Sequence, residues 1–105
     1  MTDVVVVLST VPDDESAEKI ARTLVEEKLA ACVNVLPPMT SIYRWKGAVE
    51  RDTERQLVMK TTQRQVPALK KRLRELHSYE LPEFLVVGVE AGDPDYLAWL
   101  KSSLG

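Results

Sequence analysis

The 105-residue chain is long enough for one domain with a single hydrophobic core. Its composition, 45% hydrophobic and 29% charged, is that of a globular protein, and its net charge of −2 excludes a general attraction to nucleic acid or to an anionic membrane. The one cysteine excludes an intramolecular disulfide, and no apolar run approaches the ~20 residues that span a bilayer. We therefore expect one cytoplasmic domain over residues 1–105, without nucleic-acid or membrane partners.

The first half of the chain carries strand and helix signals in alternation. Residues 4–8 form an unbroken apolar run rich in β-branched side chains, which predicts a central strand. An apolar stripe at helical spacing follows: Ala17, Ile20, Ala21, Leu24 and Val25. A second strand over residues 32–36 is bent by Pro37-Pro38 and resumes over residues 41–45.

The second half returns through a hairpin. Lys46-Gly47 is the predicted tight turn, because glycine tolerates positive φ, and the return strand covers residues 48–62. A second helix presents Val66, Leu69, Leu73 and Leu76 on one face. Residues 84–89 predict a further strand, and Asp93-Pro94 begins a short helix. The order predicts an α+β, ferredoxin-like βαββαβ fold, with an antiparallel sheet, two helices on one face and a C-terminal helix.

The predicted hairpin is longer than the domain can cover. Residues 32–45 alone span on the order of 45 Å when extended, whereas a helix of a dozen residues covers only about 20 Å. The far half of the hairpin carries Ile42, Tyr43, Trp45 and Val49, which are costly to leave in water. We expect this half to pair with a neighbouring subunit; the alternative is a hairpin curled back onto its own domain.

The only histidine lies in an acidic segment after the second helix. His77 with Glu80 and Glu83 offers an imidazole and carboxylates, a donor set that suits Cu(II), Zn(II) or Ni(II). Cys32 is a further candidate ligand for a soft metal. The alternatives are a histidine that interacts with the helix dipole and a cysteine that packs as a small apolar residue.

A second candidate site combines charges of the hairpin. Lys60, at the end of the return strand, is placed to bring an ammonium group into an intersubunit cleft with Glu54, and Arg44 supplies a further positive charge. This set predicts a site for a small anionic ligand. A surface ion pair is the simpler interpretation.

Several function classes that share the fold lack their residues here. An RNA-recognition module needs stacking aromatics in its middle strands, and residues 4–8 and 57–59 contain none. An acylphosphatase-like anion cradle conflicts with the acidic turn over residues 9–14, and a CxxC metal motif is absent from the sequence. We expect no enzymatic activity; a transfer or hydrolytic reaction that uses Glu83 is the distant alternative.

Five segments in order carry a resemblance to a known family: AACVN (30–34), SIYRWKG (41–47), KTT (60–62), HSYELPE (77–83) and YLAWL (96–100). Together they resemble the divalent-cation-tolerance protein family, CutA. The resemblance implies tight homotrimers that pair long hairpins between subunits, an architecture similar to the PII signalling proteins, and a role in tolerance of copper and other divalent cations.

Three positions depart from the family's metal-binding pattern. Ser78 stands where the family usually has proline after the histidine, and Ser9 and Leu76 stand where members proposed to bind copper can have a cysteine and a second histidine. Because His77 is retained without these companions, the resemblance implies weak binding of Cu(II) or another divalent cation and no organic cofactor. The alternative function is a PII-like trimer that binds a small anion through Lys60 and Arg44.

Overall fold

The computed structural model describes residues 2–105, which form an antiparallel sheet and three helices. The strands are β1 (Val4–Pro12), β2 (Cys32–Val35), β3 (Met39–Trp45), β4 (Ala48–Thr62) and β5 (Leu85–Gly88). The helices are α1 (Ser16–Glu26), α2 (Val66–Leu76), which a 3₁₀ turn (Gln63–Gln65) precedes, and α3 (Pro94–Ser102). The predicted α+β class with an antiparallel sheet is confirmed.

Strand β4 is the longest strand and organises the sheet. Its 15 residues pair with β1, β2 and β3, and the strands follow the order β2-β4-β1-β5 with β3 continuing beside β4. The register places Leu8 opposite Val58 and Met39 opposite Glu54. Since β1 ends opposite Glu54, the outer part of β4 pairs with β3 alone. This part forms a hairpin that projects from the domain, whose longest dimension is 44 Å.

The core lies between one face of the sheet and helices α1 and α2. Alternate residues of β1, including Val7 and Val11, share this face with Leu57 and Met59 of β4. The period of two residues along a strand places these side chains on the same side. Leu24 of α1 and Leu73 of α2 are members of the same buried cluster. The helical stripes predicted from the sequence therefore face the sheet, with one correction: Val25, at the edge of the predicted α1 stripe, is 39% exposed.

The opposite face of the sheet is mostly uncovered. Helix α3 packs Leu100 against Val4 at one end of this face. Beyond that end, Leu85 and Val87 of the edge strand β5 are 55% and 50% exposed. Together with apolar residues opposite them on β1 and β4, they form an apolar surface, here called the open sheet face. Its residues are Val6, Leu8, Val58, Leu85 and Val87. Apolar surface of this kind is typical of surfaces through which proteins bind one another.

Two strands extend further than local composition predicted. Strand β1 continues past Leu8 to Pro12, because residues 9–12 pair with residues 54–57 of β4. Strand β3 begins at Met39, opposite Glu54, rather than at Ser41. The predicted turn is confirmed: Lys46 and Gly47 have φ of 49° and 83°, the positive values of a tight hairpin turn.

Ser9 carries a buried hydroxyl that has no hydrogen-bond partner within residues 2–105. The residue is 0% exposed, in the middle of β1. Because burying an unpaired hydroxyl is unfavourable, we expect Ser9→Ala to raise the free energy of unfolding by about 1 kcal/mol, as measured by urea denaturation.

The matched control is Thr61→Val. Thr61 is equally buried, but its Oγ1 donates a hydrogen bond to the Leu29 carbonyl at 2.8 Å. Removing this hydroxyl leaves that carbonyl without its side-chain donor, so Thr61→Val should lower the free energy of unfolding. A destabilising effect of Ser9→Ala would show that the Ser9 hydroxyl is in fact paired.

Candidate acidic cleft

A cleft of about 900 Å³ lies between the hairpin and the segment that follows α2. One wall consists mainly of alternate residues of β3 and β4, which share a face of the hairpin. The other wall is formed by residues 78–83. The lining residues are Thr10, Met39, Ser41, Ile42, Tyr43, Trp45, Asp52, Glu54, Gln56, Ser78, Tyr79, Glu80, Leu81, Pro82 and Glu83.

His77 anchors the second wall to the sheet. Helix α2 ends at Leu76, and His77 takes an extended conformation and is 9% exposed. The backbone N–H of Tyr79 donates to Nδ1 at 3.1 Å, so Nε2 carries the proton and donates to the Thr10 carbonyl at 2.7 Å. Both ring nitrogens are therefore engaged with the backbone, and the ring holds the segment against β1.

Two tyrosines donate hydrogen bonds to carboxylates inside the cleft. The Tyr79 hydroxyl donates to Glu54 at 2.7 Å, and the Tyr43 hydroxyl donates to Asp52. Burial, together with the Glu54 hydrogen bond, raises the pKa of Tyr79 well above the usual range. The Asp52 hydrogen bond raises the pKa of Tyr43 to about 12. Both phenols therefore remain protonated donors at neutral pH.

The other contacts tie the walls together. The Gln56 amide donates to the Ser9 carbonyl at 2.7 Å and to Glu83 at 3.1 Å. At the tip of the hairpin, the Lys46 ammonium lies 4.0 Å from a Glu80 oxygen and 5.5 Å from the centre of the Trp45 ring. These contacts bridge β4 and the hairpin tip to residues 80 and 83.

The lining of the cleft is strongly acidic. It includes four carboxylates, those of Asp52, Glu54, Glu80 and Glu83, and no lysine, arginine or histidine among the lining residues of the described chain. Glu54 is 7% exposed. This concentration of negative charge favours a cation over an anion.

The structure brings only part of the predicted metal set together. Glu80 and Glu83 line the cleft, and His77 lies behind its wall with both nitrogens hydrogen-bonded. Cys32 lies elsewhere, half-buried on β2 opposite Lys60. Within residues 2–105, no three His, Cys, Asp or Glu side chains are grouped closely enough to hold a metal ion. Metal ligation by these residues stays a prediction.

The predicted anion-binding set is dispersed within one chain. Lys60 lies six residues beyond Glu54 on β4, a separation of about 20 Å along a strand. Arg44 is opposite Val49 and therefore lies on the other face of the hairpin from Asp52 and Glu54. A single subunit does not assemble this set, so anion binding stays a prediction that requires residues of a second subunit.

The sequence interpretation missed most residues that shape the cleft. Tyr79 and Asp52 were not assigned a role, and Tyr43 was expected only to contact a neighbouring subunit, although the hairpin register contains the signal. In an antiparallel hairpin with a Lys46-Gly47 turn, Ser41 lies opposite Asp52 and Met39 lies opposite Glu54, which places both carboxylates on one face.

Comparison with known proteins identifies the family. The family model for the CutA1 divalent ion tolerance protein matches residues 5–103, and the chain belongs to this family. The divalent-cation tolerance protein CutA of Thermus thermophilus is 50% identical over 100 residues, which are 95% of this chain and 97% of that protein.

Other relatives and solved structures agree. The divalent-cation tolerance protein CutA of Pectobacterium atrosepticum is 44% identical over 99% of this chain and 94% of its own length. The crystal structure of CutA from Xylella fastidiosa matches with a TM-score of 0.95 at 47% identity, covering 99% of this chain and 100% of that chain. No helix in the described part of this chain is long and apolar enough to cross a membrane.

Proposed function

We propose that this protein acts in divalent-cation homeostasis, as a homotrimer whose acidic clefts bind a divalent cation weakly. The observation that carries the proposal is the set of four carboxylates in the cleft. Carboxylate oxygens are suitable ligands for divalent cations, and the names of the relatives refer to tolerance of such cations.

The hydrogen bonds of His77 support weak rather than tight binding of copper. For either ring nitrogen to coordinate Cu(II), the bond to the Thr10 carbonyl or the bond from the Tyr79 amide must break. Metal affinity is reduced by the cost of breaking that bond. Glu80 and Glu83 can coordinate a metal ion without breaking a hydrogen bond to the backbone. We therefore assign them as the main ligands in this proposal.

The open sheet face and the edge of β5 support the trimer. Leu85 and Val87 are half-exposed on an edge strand, and Ile42 and Val49 of the hairpin are 70% and 66% exposed. Association of three copies would bury this surface and pair the free edge. It would also place a neighbouring subunit near each cleft, so that residues of two chains contribute to one site.

The role we propose is binding rather than catalysis. His77 is the residue best suited to acid–base chemistry near neutral pH, and its two nitrogens serve to hold backbone groups. The four carboxylates give the cleft a negative charge that attracts a cation, which requires no reaction.

The proposal is tested by isothermal titration calorimetry with Cu(II) and with Mn(II). We expect the double variant Glu80→Gln, Glu83→Gln to weaken binding about tenfold or more, because both substitutions remove a charged ligand without changing side-chain size. The control is Glu75→Gln, a charge removed from α2 at a position outside the cleft.

Three outcomes are informative. Weakening in the double variant alone supports the cleft as the metal site. Equal weakening in Glu75→Gln would show that metal binding follows from the overall negative charge of the protein and not from the cleft. An unchanged isotherm in the double variant contradicts the proposal.

A further inference from the structure

An open groove lies between helix α1 and the edge strand β2, on the side of the sheet that the helices cover. It has a volume of about 430 Å³. Ala21 and Val25 line it from the helix, and Val33 and Val35 line it from the strand. Val25 is 39% exposed, so the apolar lining is open to solvent. An exposed sheet edge beside an apolar groove is a surface on which proteins bind extended peptides.

The strand side of this groove is a free sheet edge. The N–H of Leu36 donates to the Gln56 carbonyl at 3.0 Å, so the register turns the backbone groups of every second residue of β2 toward β4. The backbone groups of Val33 and Val35, which lie between those positions, point away from β4. Within residues 2–105 no strand pairs with the outer side of β2. These N–H and C=O groups are therefore a template for one more strand.

The helix side of the groove carries three exposed charges at intervals of four residues, Glu18, Arg22 and Glu26. None of them forms an ion pair in the part of the chain that the structure describes. The two carboxylates are eight residues apart, about 12 Å along a helix. In an extended strand, residues i and i+4 point to the same side and lie about 13 Å apart. The rim therefore matches a strand with two basic side chains at this spacing.

We propose that the groove binds an extended segment of a partner protein, which adds to β2 as a further strand. The segment carries basic side chains at positions i and i+4 and an apolar side chain at i+2. The basic side chains pair with Glu18 and Glu26, and the apolar side chain enters the groove between α1 and β2. A second copy of this chain is a poorer occupant, because antiparallel pairing of two β2 strands about a two-fold axis would bring the same carboxylates of both copies together.

The groove and the acidic cleft use different surfaces. The cleft and the proposed subunit contacts involve the hairpin and the open sheet face, whereas Val33 and Val35 pack against the core cluster beneath the helices. Pro37-Pro38 separates β2 from β3, so a strand added at β2 does not need the edge of the hairpin. The inference therefore goes beyond the proposed function, and it holds whether or not the cleft binds a metal ion.

The probe is a capped, fluorescein-labelled peptide in which lysine, threonine, valine, threonine and lysine follow one another between flanking glycines. The fluorescence anisotropy of the peptide is measured at physiological salt as the intact protein is added. We expect saturable binding, about tenfold or more tighter than for a peptide with glutamate in place of both lysines. Methylating the backbone nitrogen of the valine removes an N–H that pairs with β2, and this change should also weaken binding about tenfold.

Variants of the protein locate the bound peptide. Val25→Lys places an ammonium group in the groove, and the double variant Glu18→Gln, Glu26→Gln removes both carboxylates of its rim. We expect each to weaken binding of the lysine peptide about tenfold or more. The control is the double variant Glu15→Gln, Glu75→Gln, which removes the same charge at two exposed positions outside the groove. It should change binding less than about twofold.

Binding that depends on the peptide N–H and on the groove residues supports the addition of a strand at β2. The proposal is overturned if the lysine peptide does not bind, or if the N-methylated or glutamate peptide binds as tightly. It is also overturned if the control variant weakens binding as much as Glu18→Gln, Glu26→Gln. The same conclusion follows if Val25→Lys, shown to be folded by circular dichroism, binds the peptide as tightly as the unmodified protein.

Discussion

In the trimer proposed here, Val87→Lys is expected to separate the subunits into monomers. Val87 is 50% exposed on the edge strand β5, in the row of the sheet that contains Val6. If this face is buried between subunits, the substitution places an ammonium group in an apolar interface without a partner, which costs several kcal/mol. Size-exclusion chromatography with light scattering measures the change in mass.

The matched control is Val25→Lys. Val25 is 39% exposed on α1, the helix that covers the other face of the sheet, so the same substitution there should leave the assembly intact. A trimeric Val87→Lys variant would exclude the open sheet face from the interface. Dissociation by both substitutions would point to a general loss of folding, which circular dichroism detects.

Leu73→Ala is expected to lower the free energy of unfolding by about 2–5 kcal/mol. Leu73 is 0% exposed and joins α2 to the cluster that contains Met59 and Leu24. Truncating its side chain removes buried apolar surface and leaves a cavity that a packed core fills poorly. A loss of this size is a large share of the stability of a small domain. Urea denaturation measures it.

The comparison variant is Leu76→Ala, one turn later on the same helix. Leu76 is only half-buried at the edge of the cluster, so its truncation should cost clearly less. All proteins are compared at one concentration, because the stability of an oligomer depends on it. Equal losses for the two variants would contradict the burial that the structure assigns to Leu73.

The fold was predictable where local patterns and tertiary structure agree. The limits of β4, the Lys46-Gly47 turn and the stripe of α2 follow from periodicity and from glycine alone. The length of β1 was not predictable in this way. Ser9 and Thr10 are polar and Pro12 disfavours a strand, so residues 9–12 continue β1 only because they pair with β4. Such pairing depends on a distant segment, which local composition does not specify.

The site was less predictable than the fold. The sequence grouped His77 with Glu80 and Glu83 as metal ligands; the structure places both carboxylates on the cleft lining and His77 behind its wall, and their role as ligands stays a prediction. The pairing of Tyr79 with Glu54 joins residues 25 positions apart, and it follows from the path of the segment after α2. Lys60 was grouped with Glu54 in a cleft between subunits; within one chain an extended strand separates the two residues by about 20 Å, so this grouping requires a second subunit and stays a prediction.

The most direct test of the proposal is sedimentation equilibrium of the unmodified protein at micromolar concentration. The proposed clefts are shared between subunits and bind a cation weakly, and both features require neighbouring subunits that cover the open sheet face. We expect a single species of three chain masses that persists on dilution. A folded monomer under these conditions would contradict the trimer and would leave each cleft to be built from one chain alone.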